Sequence, residues 1–332
     1  MKRWISGFVV LLLLLTLGAC SSKTSTAGNK KKAEKPDKIV LDYAYYSPTS
    51  LVLKEFGWVE ETFKKEGIEV EYVLSQGSNK ALEFLNSNSV DFGSTAGAAA
   101  LLAKAKEAPI ESVYVLSKPE WTALVTTKDS SIKSIKDLKG KKVAATVGTD
   151  PYIFLLRALD KEGLSATDVQ LVNLMHTDGA QALLSNQVDA WAGLDPHMAR
   201  VQVESDGKLF YRNPDFNTYN VLNVRSEFAE KYPKQVESVI EVYEKARKWS
   251  IENPEELQKI LEKYAQIKPQ VAKLQLKRTD FSKPIPGNDQ ISAWLSAGDV
   301  LQKGKVIPEN IKVSKLVQDL INPSFAKKVI SE

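Results

Sequence analysis

The chain has 332 residues, 43% hydrophobic and 26% charged, with a formal net charge of +4. That length allows two ordinary lobes with real cores, and no apolar run is long enough for a comfortable membrane span. The positive balance is local. Residues 1–19 carry Lys2 and Arg3, and residues 20–38 carry six lysines against Glu34 and Asp37. The remainder holds 37 basic and 39 acidic side chains, with no basic stripe interleaved with aromatics, which argues against a nucleic-acid partner.

In chain order, Lys2 and Arg3 precede an apolar run from Trp4 to Leu17, and Leu17-Gly18-Ala19-Cys20 closes it. A charged region, an apolar region and small residues in that order predict a signal peptide over residues 1–19. Cys20 is the only cysteine, so no disulfide holds the fold. Ser21–Lys35 is rich in Ser, Thr, Gly, Asn and Lys, a composition that cannot bury a core, and residues 20–37 read as a flexible tether.

The body repeats itself. Leu85-Asn86-Ser87-Asn88-Ser89-Val90-Asp91 returns as Leu183-Leu184-Ser185-Asn186-Gln187-Val188-Asp189. Each copy follows an apolar helical run and precedes a strand-like stretch. The expected structure is a helix ending at Asn88 or Asn186 in the left-handed conformation, with a strand starting at the valine. In the first half, strands are expected at Ile39–Tyr46, Ile68–Leu74 and Val90–Gly93. A helix carrying Val52, Phe56, Val59 and Phe63 on one face should run to Gly67, and Ser94-Thr95-Ala96-Gly97 should open an alanine-rich helix. In the second half, strands are expected at Lys141–Val147, Val169–Asn173 and Val188–Ala192, with helices after Gly148-Thr149-Asp150-Pro151, His176-Thr177-Asp178 and Gly193-Leu194-Asp195-Pro196. Ile110–Leu116 reads as a further strand, and Thr122–Thr127 and Thr218–Val224 as the two strands crossing between halves. Residues 226–332 are helical and should pack back on the first lobe. The fold class is therefore α/β, two Rossmann-like lobes with largely parallel sheets. Lobe 1 is residues 38–121 plus 222–332, and lobe 2 is residues 122–221.

In such sheets ligands bind beyond the carboxyl ends of the strands. There Ser47 precedes Pro48, Asp150 precedes Pro151 and Asp195 precedes Pro196, each an N-cap followed by proline at the first helical position. Ser94 and Thr95 add hydroxyls and N–H groups. Helix N-termini facing one cleft would make a site for a small anion. Tyr45, Tyr46, Trp121, Tyr152 and Trp191 are candidate walls or core. Asp150 and Asp195 either cap helices or pair with an amine on the ligand. An enzyme reading finds no support. His176 and His197 have no metal-ligand spacing and read as cap or surface residues. No phosphate loop, dinucleotide fingerprint or nucleophile elbow occurs, and in Gly93-Ser94-Thr95-Ala96-Gly97 the serine is one place early. No metal and no cofactor are expected.

Two resemblances follow from these residues. Leu17-Gly18-Ala19-Cys20 resembles the lipobox of bacterial lipoproteins, which implies lipidation at Cys20 and a protein held on the extracytoplasmic face of a bacterial cell membrane. Tyr45-Tyr46-Ser47-Pro48, Gln76-Gly77, Asp91-Phe92-Gly93-Ser94-Thr95, Lys136-Asp137-Leu138-Lys139-Gly140-Lys141-Lys142-Val143, Gly148-Thr149 and Val188-Asp189-Ala190-Trp191 resemble the substrate-binding proteins of ABC importers for sulfonates, taurine and nitrate. That family also includes binders of thiamine pyrimidine precursors. The resemblance, over about residues 38–320, implies a type II periplasmic-binding-protein fold. It implies a monomer that captures a small sulfonate-like solute between its lobes and delivers it to a membrane permease powered by an ATPase. It carries ligand contact onto Ser47, Gln76, Ser94, Thr95, Thr149 and Asp150, and further onto Trp121, Tyr152, Trp191 and Asp195. The alternatives are a receptor for a thiamine pyrimidine precursor or another aminated heterocycle, a ligand-sensing lipoprotein, and an enzyme like the fungal thiamine-pyrimidine synthase, whose cysteine-rich motif this chain lacks.

Overall fold

The computed structural model describes residues 35–330. The expected signal peptide, Cys20 and the tether up to residue 34 lie outside the described residues.

The first half begins with β1 (Lys38–Tyr43), α1 (Pro48–Phe56) and α2 (Trp58–Lys64). The single helix expected there is two helices, because Gly57 adopts a left-handed φ of 65° that ends α1 and starts α2. β2 (Glu69–Leu74), α3 (Ser78–Asn86), β3 (Phe92–Ala96), α4 (Gly97–Lys104) and β4 (Ile110–Pro119) follow. Ser94 and Thr95 lie within β3 rather than at the start of a helix, because their backbone pairs antiparallel with a distant strand, β10 (Asn220–Arg225). The second half runs β5 (Thr122–Thr126), β6 (Lys142–Ala145), α5 (Asp150–Lys161), β7 (Gln170–Asn173), α6 (His176–Leu184), β8 (Ala190–Leu194), α7 (His197–Ser205) and β9 (Lys208–Tyr211). After β10 come α8 (Ser226–Lys231), α9 (Pro233–Glu252), α10 (Pro254–Ala265), α11 (Pro269–Lys277), β11 (Thr279–Asp280), α12 (Asn288–Lys303), α13 (Val313–Leu320) and α14 (Ser324–Ile330).

Two sheets result, in the orders β11-β4-β10-β3-β1-β2 and β7-β6-β8-β5-β9. In each, three parallel strands (β2-β1-β3 and β7-β6-β8) meet an antiparallel strand beside the third, β10 in one and β5 in the other. Each bordering strand thus follows directly on a crossing from the other sheet. The strands expected to cross do not themselves do so. β5 pairs wholly in the second sheet and β10 wholly in the first. The chain crosses in the short segments at residues 120–121 and 212–219, where no ladder constrains it.

The sequence repeat has a structural job. Asn88 and Asn186 both sit in the left-handed region, at φ 57° and 55°. The following valines, Val90 and Val188, are buried. Asp91 then accepts a hydrogen bond from the Val40 amide at 2.8 Å, and Asp189 accepts one from the Lys142 amide at 2.8 Å. In both halves the motif ends a helix and ties the next strand's entry to the start of the parallel strand beside it, β1 in the first half and β6 in the second. Asp91 is buried and also pairs with Arg225 at 2.7 Å, whereas Asp189 is exposed. Asp91→Ala should therefore cost about 2 kcal/mol of unfolding free energy and Asp189→Ala about 1 kcal/mol or less. Urea unfolding of the two variants checks the order, and equal costs would remove the burial argument.

Candidate binding site

Two buried carboxylates lie at the boundary between the sheets, and one of them holds the crossings. Asp150 opens α5, with Thr149 as the N-cap and Pro151 following. Its carboxylate does not cap that helix. It accepts from Trp121 Nε1 at 2.8 Å, from the Thr218 hydroxyl at 2.6 Å and from the Thr218 amide at 3.1 Å. Trp121 lies on the first crossing and Thr218 on the second, so one carboxylate links both. Asn217 adds a second tie by accepting from the Thr122 amide at 3.0 Å. Burial raises the Asp150 carboxyl above its usual range, against the opposing pull of these bonds.

Asp195 directly follows β8 and is 1% exposed. It lies two residues before α7, whose N-cap is Pro196, yet it accepts the Ala199 amide at 2.8 Å. Its other partner is Arg278, just after α11, at 3.1 Å. Burial pushes the carboxyl up, and the guanidinium pulls it back. Neither carboxylate is left free for an amine on a ligand.

A cavity of about 70 Å³ lies between the sheets at the carboxyl ends of their strands. Tyr45, Tyr46, Ser75 and Gln76 line it from the first sheet's side, following β1 and β2. Met175, His176, Thr177, Leu194, Asp195, Pro196 and His197 line it from the second, following β7 and β8. α6 and α7 therefore begin in its wall and α3 begins just beyond Gln76, and each helix start presents amides without intrahelical acceptors.

The walls approach closely. A Cβ on Gly77 would stand 2.9 Å from His176 Nε2 and 2.9 Å from Asn79 Oδ1, so only glycine allows this contact. Asn79 Nδ2 meets Met175 Sδ at 3.7 Å. His176 Nε2, on a lining residue, is a buried polar atom without a protein partner, as are Asn79 Oδ1, whose amide nitrogen touches the lining Met175, and Ser47 Oγ, next in the chain to the lining Tyr46. Burying such groups unpaired is costly, so each calls for a partner from water or from a bound molecule.

Below the cavity, Asp42 on β1 is fully buried. It accepts from the Ser94 amide at 2.8 Å and the Ser94 hydroxyl at 3.0 Å, and the Tyr46 hydroxyl donates to the Ser94 carbonyl at 2.9 Å. Burial, only partly offset by these bonds and by the Ser75 hydroxyl, pushes the Asp42 carboxyl up to about 7.

Of the expected contact residues, Gln76 and Asp195 line the cavity and Ser47 adjoins it through Tyr46. Trp121 packs edge-on against Tyr46, with ring centroids 5.7 Å apart, and belongs to the crossing. Ser94 belongs to the floor. Thr95 bonds within the first sheet, accepting from Asn223 Nδ2 at 2.8 Å. The Thr149 hydroxyl donates to the Thr146 carbonyl at 2.6 Å. Tyr152 and Trp191 sit in the second lobe's cores. His176 and His197, expected at caps or the surface, do open α6 and α7, and both also line the cavity. Burial pushes them down to about 3 and about 4, so both rings are neutral near pH 7. His176 could have been found from the repeat: its 98-residue offset sets His176 opposite Ser78, the first residue of α3.

Two α/β lobes meeting at a cavity beyond their strand ends define the periplasmic-binding-protein fold. The chain belongs to the NMT1/THI5-like family, whose model matches residues 54–257. A Bacillus subtilis (strain 168) relative with the name "Putative aliphatic sulfonates-binding protein" is 28% identical over 98% of this chain and 97% of its own. The alkanesulfonate-binding protein SsuA from Xanthomonas axonopodis pv. citri, solved bound to MOPS, superposes with a TM-score of 0.78 at 22% identity, covering 86% of this chain and 99% of its own. The periplasmic aliphatic sulphonate binding protein SsuA from Escherichia coli gives 0.75 at 24% identity, covering 87% and 94%. All three of these relatives carry the names of binding proteins.

The Asp42 carboxyl keeps its proton in the folded state up to about pH 7, while the unfolded chain releases it near 3.8. The folded state therefore binds more protons in that window, and this group's contribution to stability falls as pH rises from about 4 to about 7, then levels off. Asp42→Asn should abolish that component. Urea unfolding of both proteins across pH 4–8 checks it, and parallel profiles would refute it.

Proposed function

We propose that this protein is the extracytoplasmic solute receptor of an ABC importer, anchored through a lipid on Cys20, and that it captures a small sulfonate-like anion between its lobes for delivery to a membrane permease. The carrying observation is the cavity itself: small, lined from both lobes, with helix N-termini and the unpartnered His176 Nε2 in its wall. Helix starts stabilise an anion through free amides and the helix dipole without a buried cation. Asp195, the carboxylate in the wall, is neutralised by Arg278, so its repulsion of an anion is offset. The names of the full-length relatives point to sulfonates. No bond is made or broken in this reading. The ligand need only favour the closed arrangement over an open one.

The test is thermal unfolding of residues 35–332 against short alkanesulfonates, taurine, nitrate and an aminopyrimidine. A ligand at about a hundred times its dissociation constant should add about 2.7 kcal/mol. Ser47→Ala, which removes an unpartnered hydroxyl beside the cavity, should weaken sulfonate binding about threefold to tenfold. A shift with the aminopyrimidine alone would overturn the anion reading in favour of an aminated heterocycle.

A further inference from the structure

His176 is 2% exposed, belongs to the cavity wall and leaves Nε2 without a partner in the protein. Its other nitrogen settles which atom carries the proton. The Thr146 hydroxyl has one hydrogen and donates it to the Leu174 carbonyl at 2.7 Å. Toward His176 Nδ1, 3.2 Å away, that hydroxyl can only accept, so Nδ1 carries the hydrogen. With the ring neutral, Nε2 is a bare lone pair. Asn79 Oδ1, an acceptor by chemistry, is also unpartnered and lies on the same side of Gly77, each atom 2.9 Å from where a Cβ on that glycine would stand.

We propose that His176 is a specificity-determining residue: its Nε2 lone pair selects small anionic ligands carrying an N–H or O–H donor over those that carry none. This rests on the anion-binding reading above and narrows it. A sulfonate with a bare alkyl tail would leave a buried acceptor unsatisfied on closure. A tail ending in an amine or hydroxyl would satisfy it, and sites built around a hydrogen bond reject analogues that lack it. The lone pair also explains why burial is tolerated at this position, since the partner arrives with the ligand.

Three ligands of nearly equal size decide the matter: ethanesulfonate, 2-hydroxyethanesulfonate and 2-aminoethanesulfonate. Calorimetric titration of the wild-type protein should show at least one of the donor-bearing pair binding about tenfold or more tighter than ethanesulfonate. In His176→Phe that ratio should collapse toward one, whatever the absolute affinities of the three ligands become. Equal affinities in the wild type, or a ratio that survives in the variant, would overturn the proposal. Tight binding of ethanesulfonate with no preference would overturn it while leaving the anion reading intact. Binding of none of the three would overturn both. Should His176→Phe fail to fold, nitrogen-15 spectra of the wild-type rings serve instead, because the chain has only two histidines. A hydrogen on Nδ1 and a bare Nε2 at His176 supports the proposal, and the opposite tautomer overturns it.

Discussion

The arrangement of this molecule depends on one carboxylate. Asp150 is 1% exposed and receives three hydrogen bonds, one from the first interlobe crossing and two from the second. Arg157 acts on Asp150 electrostatically without a direct hydrogen bond to it, and a buried carboxylate so placed is stable only when donors converge on it. Here the donors are on the two segments that no β-ladder holds. The same Thr218 extends the network, since its hydroxyl accepts the Ala98 amide and its carbonyl accepts Trp294 Nε1. A residue at the first turn of α5 thus fixes how the chain passes between sheets, and with it the relation of the two cavity walls.

The cavity follows from that constraint. With the crossings held, the ends of β1 and β2 face the ends of β7 and β8, and Gly77 admits the His176 ring at contact distance. Asp195 and Arg278 add a second tie across the same boundary, from the end of β8 to the segment after α11. Two kinds of polar group therefore share the interlobe region. One kind is fully satisfied within the protein and sets geometry. The other is left open and faces the cavity.

Much of the scaffold was legible in the residues. The repeat around Val90-Asp91 and Val188-Asp189 announced two similar halves, because the same local task, ending a helix and tying a strand entry, selects the same residue types. The left-handed asparagines were legible for the same reason. Ser94 and Thr95 were misread as a helix start, because their partner strand lies more than 120 residues downstream and no local pattern reports it. Asp150 was recognised at a strand end but not as the link between crossings, since Trp121 and Thr218 reach it only after both sheets form. Asp42 carried an unread signal, a lone carboxylate directly after Ile39-Val40-Leu41. His176 was missed because only tertiary packing separates a surface cap from a buried ring.

The strand order has a consequence for how the chain acquires its shape during synthesis. β10 sits between β3 and β4, and without it the first sheet is two disconnected pieces. Its Asn223 bonds Thr95 on one side and Ser112 on the other, so the gap is polar as well as open until it arrives. The second sheet needs only residues 122–211, one uninterrupted stretch. The usual progression, in which the earliest-made portion of a chain folds first, is therefore reversed. The middle of the chain can complete itself while the beginning waits for the end, and the earliest residues spend the longest time exposed to whatever machinery handles the nascent polypeptide.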